Sequence, residues 1–219
     1  MKRYEMKKKI KKRAKRRGRG MSKGSAFERL ICKKLSLWWT DGDRDDIYWR
    51  TSGSGARAKV RSKTGQSTFG QHGDIQATDP IGQPLIDLCS IEIKRGYSGN
   101  SLQDLIDMPD DRNASCYENF IEQAITDCKL REDESEWILL VKRDRREVVM
   151  FTSYLFFKHL SNYVSKWGPK GSCVIRLKRR KKRMNKFFKS PILVVTLEWF
   201  LDYVKPEQIR RYWRKKNGR

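Results

Sequence analysis

The chain has 219 residues, enough for one α/β domain with its own core and some additional length. Lys and Arg number 50 against 26 Asp and Glu, a formal charge of +24. Such a field attracts polyanions, with nucleic acid ahead of an acidic membrane surface.

Seven Trp, eight Tyr and nine Phe argue against wholesale disorder. No run of about 18 apolar residues is present to span a bilayer, and the basic N-terminus lacks the apolar stretch of a secretory signal. A cytoplasmic protein is expected, nucleoid-associated or in the host cytoplasm if the source is viral. The five cysteines (Cys32, Cys89, Cys116, Cys128, Cys173) form no CxxC pair and mostly sit in apolar patterns, so they read as reduced, structural thiols.

Residues 1–20 hold twelve Lys or Arg and one Glu, a basic arm with almost nothing to bury. Met21 opens "MSKGSAFERL" and offers a second start. From Gly24 a helix is predicted, with Phe27, Leu30, Ile31, Leu35 and Trp38 as its apolar stripe. Glu28 lies beside that stripe. Trp38 is assigned to the core, and Trp39 is left open between core and base stacking.

"IYWRT" (Ile47 to Thr51) reads as a short strand, and "SGSGARAK" after it as a flexible basic loop carrying Arg57 and Lys59. "DIQATD" and "LCSIEIK" are two further strands, with "PIGQP" as the turn of a hairpin between them. "NSLQDLIDMPDDRN" contains a short helix. "YENFIEQAITDCKL" is an amphipathic helix burying Tyr117, Phe120, Ile121, Ala124, Ile125 and Cys128. A strand pair, "WILLVKR" and "EVVMF", and a helix through "SYLFFKHLSNYV" follow.

That order predicts an α/β fold, a mixed central β-sheet flanked by helices. A basic C-terminal β/α appendage follows, with β-prone "SCVIRL" and "PILVVTLEWF". Between them, nine Lys or Arg lie from Arg176 to Lys189. The expected division is a disordered arm (1–20), a core (21–165) and a basic extension packed on that core (166–219).

Chemistry concentrates in "CSIEIKRG". Alternation puts Ser90, Glu92 and Lys94 on one face of the strand and Cys89, Ile91 and Ile93 on the other. Asp74 begins the strand expected beside it. Two carboxylates meeting there repel and raise one another's pKa, a conflict that a hard divalent cation such as Mg²⁺ removes. Mn²⁺ is expected to substitute.

Lys94 is placed to orient or deprotonate a water, Glu28 can reach the cluster from the first helix, and the Ile93 carbonyl is a natural further ligand. Metal, lysine and water then converge on a phosphodiester, as in-line hydrolysis requires. The bland reading is a solvated Glu92–Lys94 pair worth under about 1 kcal/mol.

"G-D-I" followed by "I-E-I-K", with the helical Glu28 upstream, resembles the PD-(D/E)xK nuclease superfamily. The resemblance points to its Holliday-junction-resolvase-like and phage-encoded branch. It runs over roughly Ser22 to Val141 and implies a restriction-endonuclease-like core, with Gly73-Asp74 standing where the family has its proline–aspartate pair. It assigns Asp74 and Glu92 to the metal, Lys94 to catalysis and Glu28 to the helical acid.

The resemblance also suggests Ser52 or Ser54 as a loop serine near the scissile backbone, with Ser54 preferred. Gln123 is the polar residue on the following helix, with Asp127 in competition. His72 sits beside the pair, and His159 reads as packing or surface.

The expected function is a Mg²⁺-dependent DNA endonuclease selective for branched DNA, and the resemblance implies a homodimer. Backbone contacts are expected from Arg57, Lys59, Arg95, Arg179, Arg180, Lys181, Lys182 and Arg183, with Phe187 and Phe188 as wedges or anchors. The alternatives are a phage or mobile-element nuclease on duplex, flap or single-stranded DNA, a non-catalytic basic nucleic-acid-binding protein, and an RNA- or ribosome-associated basic protein.

Overall fold

The apolar stripe of the first helix sets one layer of the fold. The computed structural model describes residues 23–51, 73–97, 99–107, 109, 113–129, 135–161, 172–175, 177 and 191–218. Helix α1 spans 23–39 and buries Phe27, Ile31, Cys32, Leu35, Ser36 and Trp39. Steps of four residues keep this line facing inward. Leu30, expected in the stripe, falls to one side and is 58% exposed.

Trp39, not Trp38, completes the inner face. Its indole N–H donates to the Ile81 carbonyl at 2.7 Å. Trp38 is half-buried and donates to the carbonyls of Leu201 and Val204 at 3.0 and 3.1 Å.

Strands β1 (Tyr48–Arg50) and β2 (Ile75–Ala77) form a two-stranded antiparallel sheet. Ser36 ties it to α1, donating to the Cys32 carbonyl and accepting from the Tyr48 amide.

The expected hairpin turn at "PIGQP" is instead helical. Asp79 caps a 3₁₀ turn (Pro80–Gly82), and α2 (Gln83–Leu88) buries Leu85, Ile86 and Leu88. Pro at a first helical turn removes an amide that had no partner anyway, so the prolines open these helices. Strand β2 consequently pairs with β1, and β3 (Cys89–Arg95) belongs to a second sheet.

Among the described residues that sheet runs β3-β4-β5-β7-β6. Strand β4 (Glu136–Lys142) is parallel to β3, and β5 (Val148–Ser153), β7 (Ile192–Thr196) and β6 (Cys173–Ile175) pair antiparallel in turn. The β3–β4 crossover carries α3 (Asp104–Asp107) and α4 (Cys116–Lys129).

Alternation along the strands divides the core in two. Cys89, Ile91, Ile93, Ile138, Leu140, Met150, Leu193 and Val195 pack with α1. The same core takes α5 (Tyr154–Ser161), α6 (Leu197–Tyr203) and α7 (Pro206–Lys216). On the other face Leu139, Val141, Phe151, Ile192 and Val194 pack with α4. The fold is α/β, a mixed sheet between helical layers, consistent with a restriction-endonuclease-like core.

The apolar run "PILVVTLEWF" changes from strand to helix at Thr196, whose hydroxyl accepts from the Trp199 amide at 3.2 Å. Strand β7 lies between β5 and β6, so the C-terminal part of the chain shares the one sheet. Helix α7 is fastened to α2 and α1. Trp213 Nε1 donates to Asp87 at 2.9 Å, and the Arg210 guanidinium lies 4.7 Å from the Trp39 ring centre. No helix among the described residues is long and apolar enough to cross a membrane.

Candidate active site

Asp74 reaches β3 without a strand ladder. Its amide donates to the Ile91 carbonyl and its Oδ2 accepts from the Ile93 amide, both at 2.7 Å. Its carbonyl accepts from the Thr51 amide at 3.0 Å, while Thr51 Oγ1 donates to the Gly73 carbonyl at 2.9 Å. Asp74 is 5% exposed.

Gly73 makes this approach feasible. Its φ is +82°, and a Cβ there would lie 2.6 Å from the Ile91 carbonyl oxygen and 2.9 Å from its nitrogen. Proline, fixed near −65°, has no access to this conformation.

Glu92 is 6% exposed and projects to the α4 side. Its Oε1 accepts from Lys94 Nζ at 2.5 Å and from Gln123 Nε2 at 2.9 Å. Gln123 also reaches Asp127 at 3.5 Å, so the two polar candidates on α4 act together. Burial pushes the Glu92 pKa up to about 7, and Asp74 and Asp127 raise it while Lys94 opposes the shift.

Burial works against the Lys94 ammonium. The charge and hydrogen bond of Glu92, with Asp74 and Tyr97, outweigh it and leave the pKa above the usual lysine value. The ammonium also lies 5.6 Å from the centre of the Phe120 ring, where the π-face attracts a cation.

Glu28 is placed differently from the expectation. Its Oε2 accepts from Arg50 Nε at 2.8 Å. It does sit near the cluster, because the buried Cys32 thiol feels Glu28, Arg50 and Asp74 together. Burial, with Glu28 next, pushes that thiol up to about 12.

Among the described residues, however, no group of three or more His, Cys, Asp or Glu is gathered closely enough to hold a metal ion. The two carboxylates that the hydrogen bonds bring together with Lys94 are Asp74 and Glu92, while Glu28, near them, is engaged by Arg50. Sequence reasoning missed Arg50. Alternation along "IYWRT" put it on the Tyr48 side, facing α1.

Arg95, expected to contact the DNA backbone, lies on the other side of the sheet from Lys94. It follows Lys94 and so points to the opposite face, where its guanidinium lies 5.6 Å from the Phe27 ring and 3.5 Å from Asp144. Its side chain is 29% exposed on that face. Ser52, Ser54, Arg57, Lys59, His72, Arg179, Arg180, Lys181, Lys182, Arg183, Phe187 and Phe188 lie outside the described residues.

The donor set fits a hard divalent cation. Asp74 and Glu92 offer carboxylate oxygens, and their mutual repulsion is relieved by positive charge between them. On an extended strand the N–H and C=O of one residue face the same edge. The Ile93 amide is bonded to Asp74, so the Ile93 carbonyl opens toward that aspartate.

A family model described as "Phage putative PDDEXK endonuclease" matches residues 20–211. The match extends well beyond Val141, where the sequence resemblance stopped, and takes in β5, β6, β7 and most of α7. Comparison with curated proteins and with solved structures returns no match.

Proposed function

The chain belongs to the phage PDDEXK endonuclease family, and from that membership we propose that it hydrolyses DNA phosphodiester bonds with Mg²⁺ held at Asp74 and Glu92. The observation that carries this reading is the convergence on Glu92. One carboxylate takes hydrogen bonds from Lys94 and Gln123, while Asp74 is fastened one residue away at Ile93.

Asp74, Glu92 and the Ile93 carbonyl are the proposed ligands. A bound divalent ion supplies Lewis-acid stabilisation of charge on the phosphate and lowers the pKa of water. Gln123, with Asp127 behind it, fixes the Glu92 carboxylate. Lys94 orients the attacking water and stabilises negative charge on the phosphate. Glu28 holds Arg50 at the edge of the site. A basic protein of +24 charge then keeps the substrate backbone close without reading its sequence.

The finer form of the proposal is a homodimer that cuts branched DNA, with one site for each strand of a junction. The test uses supercoiled, linear, single-stranded and four-way-junction DNA, each with Mg²⁺ and with EDTA. Cutting is expected with Mg²⁺ only and fastest on the junction.

Lys94→Ala is expected to bind DNA within about twofold of wild type and to cut about 100-fold more slowly or worse, the range for losing a proton-transfer or charge-stabilising group. Unchanged cutting by Lys94→Ala would overturn the assignment.

A further inference from the structure

The parallel pairing of β3 with β4 brings the end of β4 beside Lys94. Arg95 lies opposite Lys142, and the Gly96 amide donates to the Lys142 carbonyl at 3.0 Å. Beyond Lys142 the chain turns, closed by the Arg146 amide on the Arg143 carbonyl at 3.3 Å, with Arg145 at a φ of +58°. Arg143 is half-buried, and Arg145 and Arg146 are exposed. Of the turn's acidic neighbours, Asp144 is drawn to Arg95 and Glu147 is exposed.

Directly after β3, Gly96 and Tyr97 both take positive φ, +103° and +59°. Glycine adopts this conformation freely, whereas a tyrosine there is strained. Tyr97 is 46% exposed, and its ring meets Phe120 edge-on at 4.7 Å. Phe120 is the ring under the Lys94 ammonium, and its next neighbour is Tyr117 at 6.3 Å. Tyr117 in turn senses Arg143, since burial raises its phenol pKa and the Arg143 charge pulls it down. Tyr97, Phe120 and Tyr117 form one continuous aromatic path on the face that bears Lys94, and Arg143 directly follows Lys142, which pairs beside Arg95 and Gly96.

Strained backbone that holds a ring in solvent is characteristic of ligand clamps. From this juxtaposition we infer that Tyr97 and the turn residues Arg143, Arg145 and Arg146 form a nucleotide subsite beside the scissile phosphate. A base of the bound strand stacks on Tyr97, and the guanidinium groups take the neighbouring phosphates. The inference rests on the nuclease reading and names the contacts flanking the cut. Stacking tolerates any base and arginine tolerates any sequence, so the subsite grips without sequence preference.

The test uses full-length protein in EDTA, with oligonucleotides each carrying one 2-aminopurine. Wild type and Tyr97→Phe are expected to quench the fluorescence at one position, and Tyr97→Gly to lose that quenching with about fivefold or greater loss of affinity. Glycine relieves the positive-φ strain, so a melting temperature at or above wild type separates lost stacking from unfolding.

The triple variant Arg143→Gln, Arg145→Gln, Arg146→Gln is expected to flatten the slope of log affinity against log salt by about 2. Wild type that cuts DNA while every variant matches it in quenching, affinity and salt slope would overturn the subsite and spare the nuclease reading. Wild type that binds no DNA would overturn both.

Discussion

Glu92→Gln is expected to abolish Mg²⁺-dependent cleavage and, at the same time, to raise the stability of the folded protein above neutral pH. The first effect follows from removing one of two carboxylates available to the cation. The second follows from the pKa of Glu92, which burial and Asp74 lift from 4.5 to about 7. The folded protein thus holds this proton more tightly than the unfolded chain.

The sign is opposite to that of an ordinary salt-bridged acid. The contribution of neutral Glu92 is fully present below 4.5 and is lost as pH rises through about 7. Glutamine imitates the neutral form at every pH. At about pH 8 without metal, the variant should therefore be more stable by about 3 kcal/mol, a rise of several degrees in melting temperature.

Near pH 4 the two proteins should melt together. Parallel melting curves across this whole range would show that Glu92 carries no charge penalty. By the same proton linkage, cleavage by wild type should rise with pH through about 7 as the carboxylate becomes available.

Gly73→Ala is expected to cost more than about 3 kcal/mol, since positive-φ strain and a backbone collision act together. The added methyl would stand 2.6 Å from the Ile91 oxygen. Neither partner is a side chain that can swing away, so β2 or β3 must shift. That shift breaks the bonds from the Asp74 amide to Ile91 and from the Ile93 amide to Asp74. Stability and cutting should fall together.

Gly82 offers a contrast. Its added Cβ would meet the Ile47 and Tyr48 side chains, so Gly82→Ala should cost stability while leaving Asp74 attached. Urea denaturation of both variants checks this. A Gly73→Ala protein within about 0.5 kcal/mol of wild type would mean that Asp74 reaches β3 by another route.

Much of this site was legible in the sequence because alternation is a rigid rule. Placing Ser90, Glu92 and Lys94 on one face of β3 required only a strand, and the helix that buries Tyr117 and Phe120 carries Gln123 at its edge. What failed was the tertiary arrangement. Asp79-Pro80 reads equally as a helix start and as a turn, and the turn reading pairs β2 with β3, whereas the helical outcome pairs it with β1.

Leu30 departs from the stripe because three residues at about 100° each carry it about 60° from Phe27, away from the side of Ile31 and Leu35. The pairing of Glu28 with Arg50 was not legible, because Arg50 lies 22 residues away on a strand of three residues. The composition of the C-terminal part suggested an addition to the core. A strand inserted between two others, as β7 is, leaves no local trace in a single sequence.

The most direct test of the paired-carboxylate site is the melting temperature as Mg²⁺ or Mn²⁺ is added at about pH 8, where Glu92 is ionised, in wild type and in Asp74→Asn. Asparagine keeps the acceptor for the Ile93 amide and removes only the charge. Wild type should gain stability steadily with metal concentration, as a ligand bound only by the folded state requires. Asp74→Asn should gain little. Equal responses in the two proteins, or none in wild type, would contradict a metal held between Asp74 and Glu92.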